Sequence, residues 1–588
     1  MTNDIVDAAV SQSPLSYLLT NIARIHFGEV ASQIISILIS CGRLSAKEIS
    51  FKLKTPLRDI KKGLVSLIQF NCITYWEEKN IFYYLNESGL VVLSRCGIIV
   101  EQIKHEYGEN EANIVLHVLQ NGHIKAGDLQ EKSQQIILSK LYEDGWLKRL
   151  QKFNYFPLGD LWHKIYEGVL KDMPRSSTVS EIKRVTEAKE RAKVQLTELL
   201  EAGTKDTDIF TVENGYRQLK PTITIAFNLS RFEKHIRSRE LVNLCRSRIG
   251  TLTSLIYENA LKLIEKNSPD SRHPFKDLDG LINDPEQERV FLNSIENQLV
   301  DDGKTVFTIK QLTKHIPDGL DLTNSILTNT FSKPFPKKRP INTEEGPSAK
   351  KVKLEGEIPE IDFGHHTANS VNINGNGIES AKQRLVEEHL KLLTSASELK
   401  FLIEISPGRY TVPYKVLSEK LKKFNYETLI KRTLGADAFR ILRCLKSMKL
   451  VDERTLANGT LLREKNVRSE LYKLLVLDVV EIQEVPRSAD RAASKAFYLY
   501  RHKEAPSYKF LRESLLFSMA EILTNIRNLK EDHKILLQKC EREDVKGNEE
   551  ELLIESELKT LKQLRQREVN DIGKFNRIDI LYSLFNLP

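Results

Sequence analysis

At 588 residues the chain exceeds what one hydrophobic core can organise, and roughly three to five domains are expected. Apolar residues at 40%, aromatics at 7% and charges at 29% describe a soluble, helix-rich chain, with no run near the ~18 apolar residues a membrane helix needs. A net charge of +8 and a pI near 8.8 permit contact with nucleic acid but exclude a histone-like charge density. The opening MTNDIVDAAVSQSPL has no basic start before an apolar run, so no secretory signal is expected and the chain is expected to stay inside the cell. Cys41, Cys72, Cys96, Cys245, Cys444 and Cys540 lie far apart in mostly apolar stretches, which suits small buried hydrophobes in a reducing compartment rather than zinc ligands or disulfides.

The first 160 residues hold a repeat. IISILISCGRLSAKEIS from Ile34 aligns without gaps on IVLHVLQNGHIKAGDLQ from Ile114, eighty positions on, with Gly42 opposite Gly122. Each copy reads as an apolar helix stopped at a glycine, where a positive φ costs little, followed by a second amphipathic helix. In the first copy a third helix is predicted from Pro56 through Ile60, Leu64, Leu67 and Ile68, and two β-rich runs, Ile73 to Trp76 and Ile81 to Leu85, form a wing. In the second copy Ile136, Ile137, Leu141 and Tyr142 mark the third helix, Gly145 ends it, and WLKRL with FNYFPL supplies the wing strands. Three helices and a wing define the winged helix, whose third helix can lie in a DNA major groove. The same fold serves as a protein-binding scaffold, and both uses stay open.

SEIKRVTEAKERAKVQLTELLEAG, from Ser180 to Gly203, is polar and helical and reads as a connector. Beyond it, ITIAFNL from Ile223 has strand character and precedes a long helix; FTIKQLTKHIPDGLDL from Phe307 gives a short second helix, and AKQRLVEEHLKLLTS from Ala381 the third helix of the same unit. Between these helices, about Ser332 to Glu379, the chain is rich in Pro, Gly, Asn, Ser and charge and is expected to be disordered. Within it Lys337, Lys338 and Arg339 precede Lys350, Lys351 and Lys353 by ten intervening residues, a bipartite spacing suited to a nuclear-import receptor. A solvated linker with incidental lysines is the alternative.

A fourth unit begins near Gly435, where Ile441, Leu442, Leu445, Val451 and Leu456 take the places of Ile34, Ile35, Leu38, Leu44 and Ile49. VRSELYKLLVL from Val467 is its third helix, and DVVEIQEV and SKAFYLYRH are wing strands joined by PRSADRAA, where Arg487, Asp490 and Arg491 could form a salt-bridged loop or a solvated turn. After Pro506 heptads appear, with Leu515, Ile522, Leu529 and Leu536 at one position and Met519, Ile526, His533 and Cys540 at the other, which predicts a coiled-coil seam. The break EREDVKGNEEE and a second helix bearing Ile554, Leu558 and Leu561 make an antiparallel hairpin. Ile578, Ile580, Leu581, Leu584, Phe585 and Leu587 are too apolar for a free tail and are expected to dock.

For DNA contact the first unit is the best candidate, because Lys52, Lys54, Arg58, Lys61 and Lys62 cluster around its second and third helices and would attract phosphates without reading bases. An ordinary solvated helix face is the rival reading. Tyr75 and Trp76 are expected beneath the wing rather than under bases. The chain carries no GxxxxGK[ST], HExxH, CxxC or GxSxG, and the GNG at Gly375 to Gly377 lacks a preceding strand, so no catalytic residue, metal ligand or cofactor is expected. His365 and His366 have no spaced co-ligands, and His533 reads as a polar interface residue.

LRDIKKGLVSLIQFNCITYW, FNLSRFEKHIRSRELVNLCRSRIG and, above all, LYKLLVLDVVEIQEVPRSADRAASKAFYLYR resemble the third-largest, tandem winged-helix subunit of nuclear RNA polymerase III, in a fungal, yeast-like form. The resemblance spans the chain. It implies a mainly α fold with small β wings, four tandem winged helices and a C-terminal antiparallel coiled-coil hairpin. The expected boundaries are 1–86, 87–160, a helical connector 161–221, 222–415 with the insertion at about 332–379, 416–503, and a hairpin with docking tail 504–588. It also implies a non-catalytic nuclear protein, bound to the polymerase clamp and two smaller subunits. Such a protein would help promoter recognition and opening at 5S rRNA, tRNA and other small RNA genes. The residues alone leave a free-standing winged-helix regulator, or a scaffold of another complex, as alternatives. A membrane role is not expected.

Overall fold

A computed structural model describes residues 13–587 apart from 130, 174–180, 206–208, 214–215, 279–280, 283, 318, 323–324, 326–374, 396–398 and 487–495. Two compact units result. One comprises residues 1–241, 265–304 and 414–588, the other residues 242–264 and 305–413.

In the larger unit, α1 (Pro14–Phe27) precedes the first winged helix. That domain runs α2 (Glu29–Cys41), β1 (Leu44–Ser45), α3 (Ala46–Leu53), α4 (Leu57–Gln69), β2 (Ile73–Glu77) and β3 (Ile81–Leu85). Gly42 stops α2 with φ 71°, and Ser45 and Glu48 cap α3 reciprocally, so both turns are set locally. Ile34, Ile35, Ile49, Ile60 and Leu67 are fully buried, and the strands order β1-β3-β2, with Tyr75 opposite Tyr83.

The second winged helix follows α5 (Glu87–Glu106) with α6 (Glu109–Asn121), β4 (His123–Lys125), α7 (Lys132–Glu143) and β5 (Leu147–Arg149). Its wing departs from the sequence expectation. FNYFPL is not a strand, since Lys152–Tyr155 forms a 3-10 turn, and the strand that completes the sheet is β8 (Thr224–Phe227), between β4 and β5. The ITIAF run thus belongs to the second unit rather than the third, because pairing on both edges lets Ile225 and Phe227 fill that core. The residues between β5 and β8 are also more than a connector. Helices α8 (Leu158–Asp172) and α9 (Glu181–Lys205) bury Leu161, Trp162 and Val169 against Ala188, Ala192 and Leu196, and β6 (Phe210–Glu213) pairs with β7 (Tyr216–Leu219).

Helix α10 (Leu229–Arg248) leads into the smaller unit, which contains α11 (Thr251–Ile264). The chain between 265 and 304, expected in the third winged helix, instead clusters with the larger unit and includes α12 (Pro285–Asp301). The smaller unit is completed by β9 (Val306–Thr308), α13 (Ile309–His315), α14 (Gly375–Ser395), β10 (Ile403–Ser406) and β11 (Arg409–Thr411), with strands in the order β10-β11-β9. Tyr257 packs edge-on against Phe401, and buried His389 bridges Thr253 and Ser325 at 3.0 and 2.9 Å. Because α14 starts at Gly375, the GNG and the last residues of the expected insertion are helical; Ser332 to Asn374, with His365 and His366, lie outside the described residues.

Back in the larger unit, α15 (Tyr414–Thr433) precedes the fourth winged helix: α16 (Ala436–Met448), α17 (Glu453–Thr460), α18 (Glu464–Val476), β12 (Val480–Pro486) and β13 (Ala496–His502). Arg487, Asp490 and Arg491 lie outside the described residues. Every helix of this domain stands 407 positions after its counterpart in the first, and so do the left-handed positions: Gly28 and Gly435, Gly42 and Lys449, Lys54 and Leu461, Asn71 and Asp478.

A C-terminal helical hairpin follows, with α19 (Glu504–Asp532) continued by α20 (Lys534–Cys540), then α21 (Glu549–Leu552), and α22 (Glu555–Phe585) running back. Pairs Lys530–Glu568 and Lys539–Glu557 fix the antiparallel sense. The heptad does not face a single partner helix. Leu515 enters the fourth-unit core; Met519 and Ile522 pack with the first-unit core, and Leu536 clusters with Leu558 and Leu561. Ile526 is buried and Leu529 half-buried, and His533 is where the long helix breaks. A heptad fixes a stripe, but a stripe on one helix says nothing of which surface covers it. The apolar tail docks within the chain, with Phe585 in the fourth-unit core and Leu584 and Leu587 buried.

Candidate nucleic-acid interface

The first winged helix places its cations by burying what lies opposite. Ile60, Leu64 and Leu67 turn one side of α4 into the core, so Arg58, Lys61, Lys62 and Val65, at i, i+3, i+4 and i+7, share the outer face. Lys52 lies in the last turn of α3, and Lys54, with φ 53°, turns the chain toward α4. All five basic residues are exposed, four on two consecutive helices and Lys54 among the three residues that join them. The acid among them, Asp59, is 3.7 Å from Lys62, an exposed pair that neutralises little. Lys52 Nζ donates to Cys41 Sγ at 3.3 Å.

Cys41 is therefore not the buried hydrophobe expected: as the last residue of α2 it faces solvent. Cys72, Cys245 and Cys540 are buried, and burial pushes the Cys72 and Cys245 thiols up to about 12, away from thiolate chemistry.

The sequence reading missed Phe51, which is 86% exposed beside Lys52 on α3. A signal was present, because Phe51 stands out of phase with the Ile49 and Leu53 side of α3. Tyr75 and Trp76 meet Phe156 edge-on at 5.9 and 5.4 Å, and Trp76 Nε1 donates to Glu78, so both rings are engaged within the protein. The segment that failed to form a strand thus serves the wing of the preceding unit. Arg43 is likewise committed, lying over Phe82 and 3.5 Å from Asp160.

A second concentration of charge, in FNLSRFEKHIRSRE, is turned inward. Arg231 pairs with Glu265 and lies over Trp146; His235 Nδ1 is 3.2 Å from Glu265 and 3.5 Å from Glu106; Lys234 is 2.9 Å from Asp270. Arg237 donates to the Pro269 carbonyl and to Ser268 and covers the ring of Tyr414. Burial alone would raise the Glu265 and Asp270 carboxyls, but His235 and Arg231 at the first, and Lys234 at the second, hold both below their ordinary values. Arg95, 3% exposed, grips both oxygens of Asp579 at 2.7 and 2.9 Å and also contacts Glu233. These charges join elements and are not available to a polyanion.

Lys337, Lys338, Arg339, Lys350, Lys351 and Lys353 lie outside the described residues.

The domains with their wings, the helical hairpin and an outward basic face define a tandem winged-helix protein. Four family models match along it: RNA polymerase III subunit RPC82 over residues 136–421, the helix-turn-helix domain of that subunit over 17–78, the POLR3C C-terminal winged-helix domain over 426–502, and the RPC3 helical hairpin domain over 535–586. Similar proteins bear the name DNA-directed RNA polymerase III subunit RPC3. That of Debaryomyces hansenii is 53% identical with 99% of each chain covered, that of Scheffersomyces stipitis 52% with the same coverage, and that of Saccharomyces cerevisiae 34% with 98% of this chain and 93% of its own. The chain belongs to this family of RNA polymerase III subunits, in its yeast form, and is an accessory rather than catalytic part of that polymerase.

Proposed function

We propose that within RNA polymerase III the chain acts in promoter recognition, initiation and DNA opening at 5S rRNA, tRNA and other small RNA genes, seated on the clamp together with two smaller subunits. Its DNA contribution is electrostatic: Lys52, Lys54, Arg58, Lys61 and Lys62 meet backbone phosphates and position the duplex while bases go unread. The observation that carries this reading is the outward, largely unpaired basic face of α3 and α4. Lys337, Lys338, Arg339, Lys350, Lys351 and Lys353 serve as the address read by an import receptor, placing the protein in the nucleus.

The test is polymerase purified from cells carrying Arg58→Ala, Lys61→Ala and Lys62→Ala together. Assembly should be unchanged while promoter-directed initiation falls several-fold and DNA crosslinks to the first domain disappear. Full initiation with unchanged crosslinks would refute the assignment.

A further inference from the structure

The fixed offset between the helices of the first and fourth winged helices makes one a control for the other, because the helix bounds correspond while residues on the outer faces differ. Where the first unit has Lys54, Lys62, Val65 and Gln69, the fourth has Leu461, Ser469, Tyr472 and Val476. Leu461 is 90% exposed, Tyr472 69% and Val476 61%. Three large apolar side chains therefore stand in water on the face that in the first unit is basic. The remaining cations there are largely spent: Arg468 is held by Glu453 and Glu464, and Lys473 by Glu470 at 2.7 Å. Among the described residues Arg463 and Lys465, both exposed at the start of α18, form no ion pair.

We infer that this outer face of α18 docks an acidic, amphipathic helix of another polypeptide rather than DNA. Lys465, Ser469, Tyr472 and Val476 follow one another along a single helical stripe roughly 17 Å long, a straight ridge that fits the groove of a second helix. Leu461, Tyr472 and Val476 supply the apolar anchor, and an exposed Tyr is the kind of side chain that dominates such contacts. Arg463 and Lys465, left without carboxylates, select an occupant carrying Asp or Glu beside its apolar residues. DNA fits poorly, because the exposed apolar side chains of Leu461, Tyr472 and Val476 gain nothing from phosphates.

The experiment uses the full-length chain in purified polymerase, with Ser469 replaced by photoreactive p-benzoylphenylalanine and the crosslinked peptide sequenced. The expected product is a segment of another subunit or bound factor with helical apolar spacing and more Asp and Glu than Lys and Arg. Polymerase carrying Leu461→Ser and Tyr472→Ser should release that polypeptide at least about tenfold faster. Lys465→Glu should slow its binding and leave thermal unfolding unchanged. A crosslink to promoter DNA, to a basic segment, or to nothing overturns the inference, whatever the folding of the variants.

Discussion

Gly42 and Gly122 occupy the same step of the repeat, both with a positive φ, 71° and 75°. Their surroundings differ. A Cβ on Gly42 would meet nothing within 4 Å, whereas one on Gly122 would lie 2.5 Å from the Gln69 carbonyl oxygen at the end of α4. Gly42→Ala should therefore cost only left-handed strain, about 1 kcal/mol. Gly122→Ala should lose roughly a further 1–3 kcal/mol by forcing two domains apart. Denaturation midpoints of the two full-length variants check this, and equal losses would show that the close approach is not felt. In the fourth unit Lys449 takes the same left-handed step with φ 67°. The two glycines were legible as helix stops; the lysine was not, because its conformation follows from the turn around it rather than from its own preference.

Between elements, buried charge decides what holds to what. Arg95 on α5 and Asp579 on α22 are 484 positions apart and almost fully buried. Asp579→Asn should destabilise the chain by about 3 kcal/mol, since it leaves a buried guanidinium with the longer Glu233 contact as its ion pair, while Arg95→Met with Asp579→Leu should lose less than the sum of the single losses. A urea-denaturation double-mutant cycle reads this coupling, and additive losses would contradict it. The Glu265 and Asp270 carboxyls, depressed in the fold, add stability that is fully present above their ordinary values of 4.5 and 3.8 and is lost as pH falls below them. Glu265→Gln should thus flatten the acid limb of a melting-temperature profile between pH 5 and about 3; an unchanged limb would exclude the carboxylate as its source. Helices and wings of the first and fourth units were readable because their pairings are local. The second unit's middle strand was not, since Phe227 and Leu147 are brought together only by tertiary pairing across α8 and α9. The destinations of Leu515, Met519 and Leu536 were hidden for the same reason.

At the scale of the whole molecule, a net charge of +8 over 588 residues is too dilute to bind duplex strongly. What counts is local density, and Lys52, Lys54, Arg58, Lys61 and Lys62 stand together and exposed on the first unit. If Lys52, Lys54, Arg58, Lys61 and Lys62 are the phosphate contacts, the logarithm of duplex affinity should fall against the logarithm of salt with a slope of about −4 to −5, near −0.9 per phosphate. Removing Arg58, Lys61 and Lys62 should cut the slope by about 2 to 3 without changing preference among DNA sequences, because phosphate contacts carry no base information. Fluorescence anisotropy of the full-length chain on two unrelated duplexes, from 50 to about 200 mM salt, measures both quantities. A slope untouched by the triple substitution would move the basic interface off α4. A strong preference for one duplex would instead restore the free-standing regulator reading, which needs base contacts that these lysines do not provide.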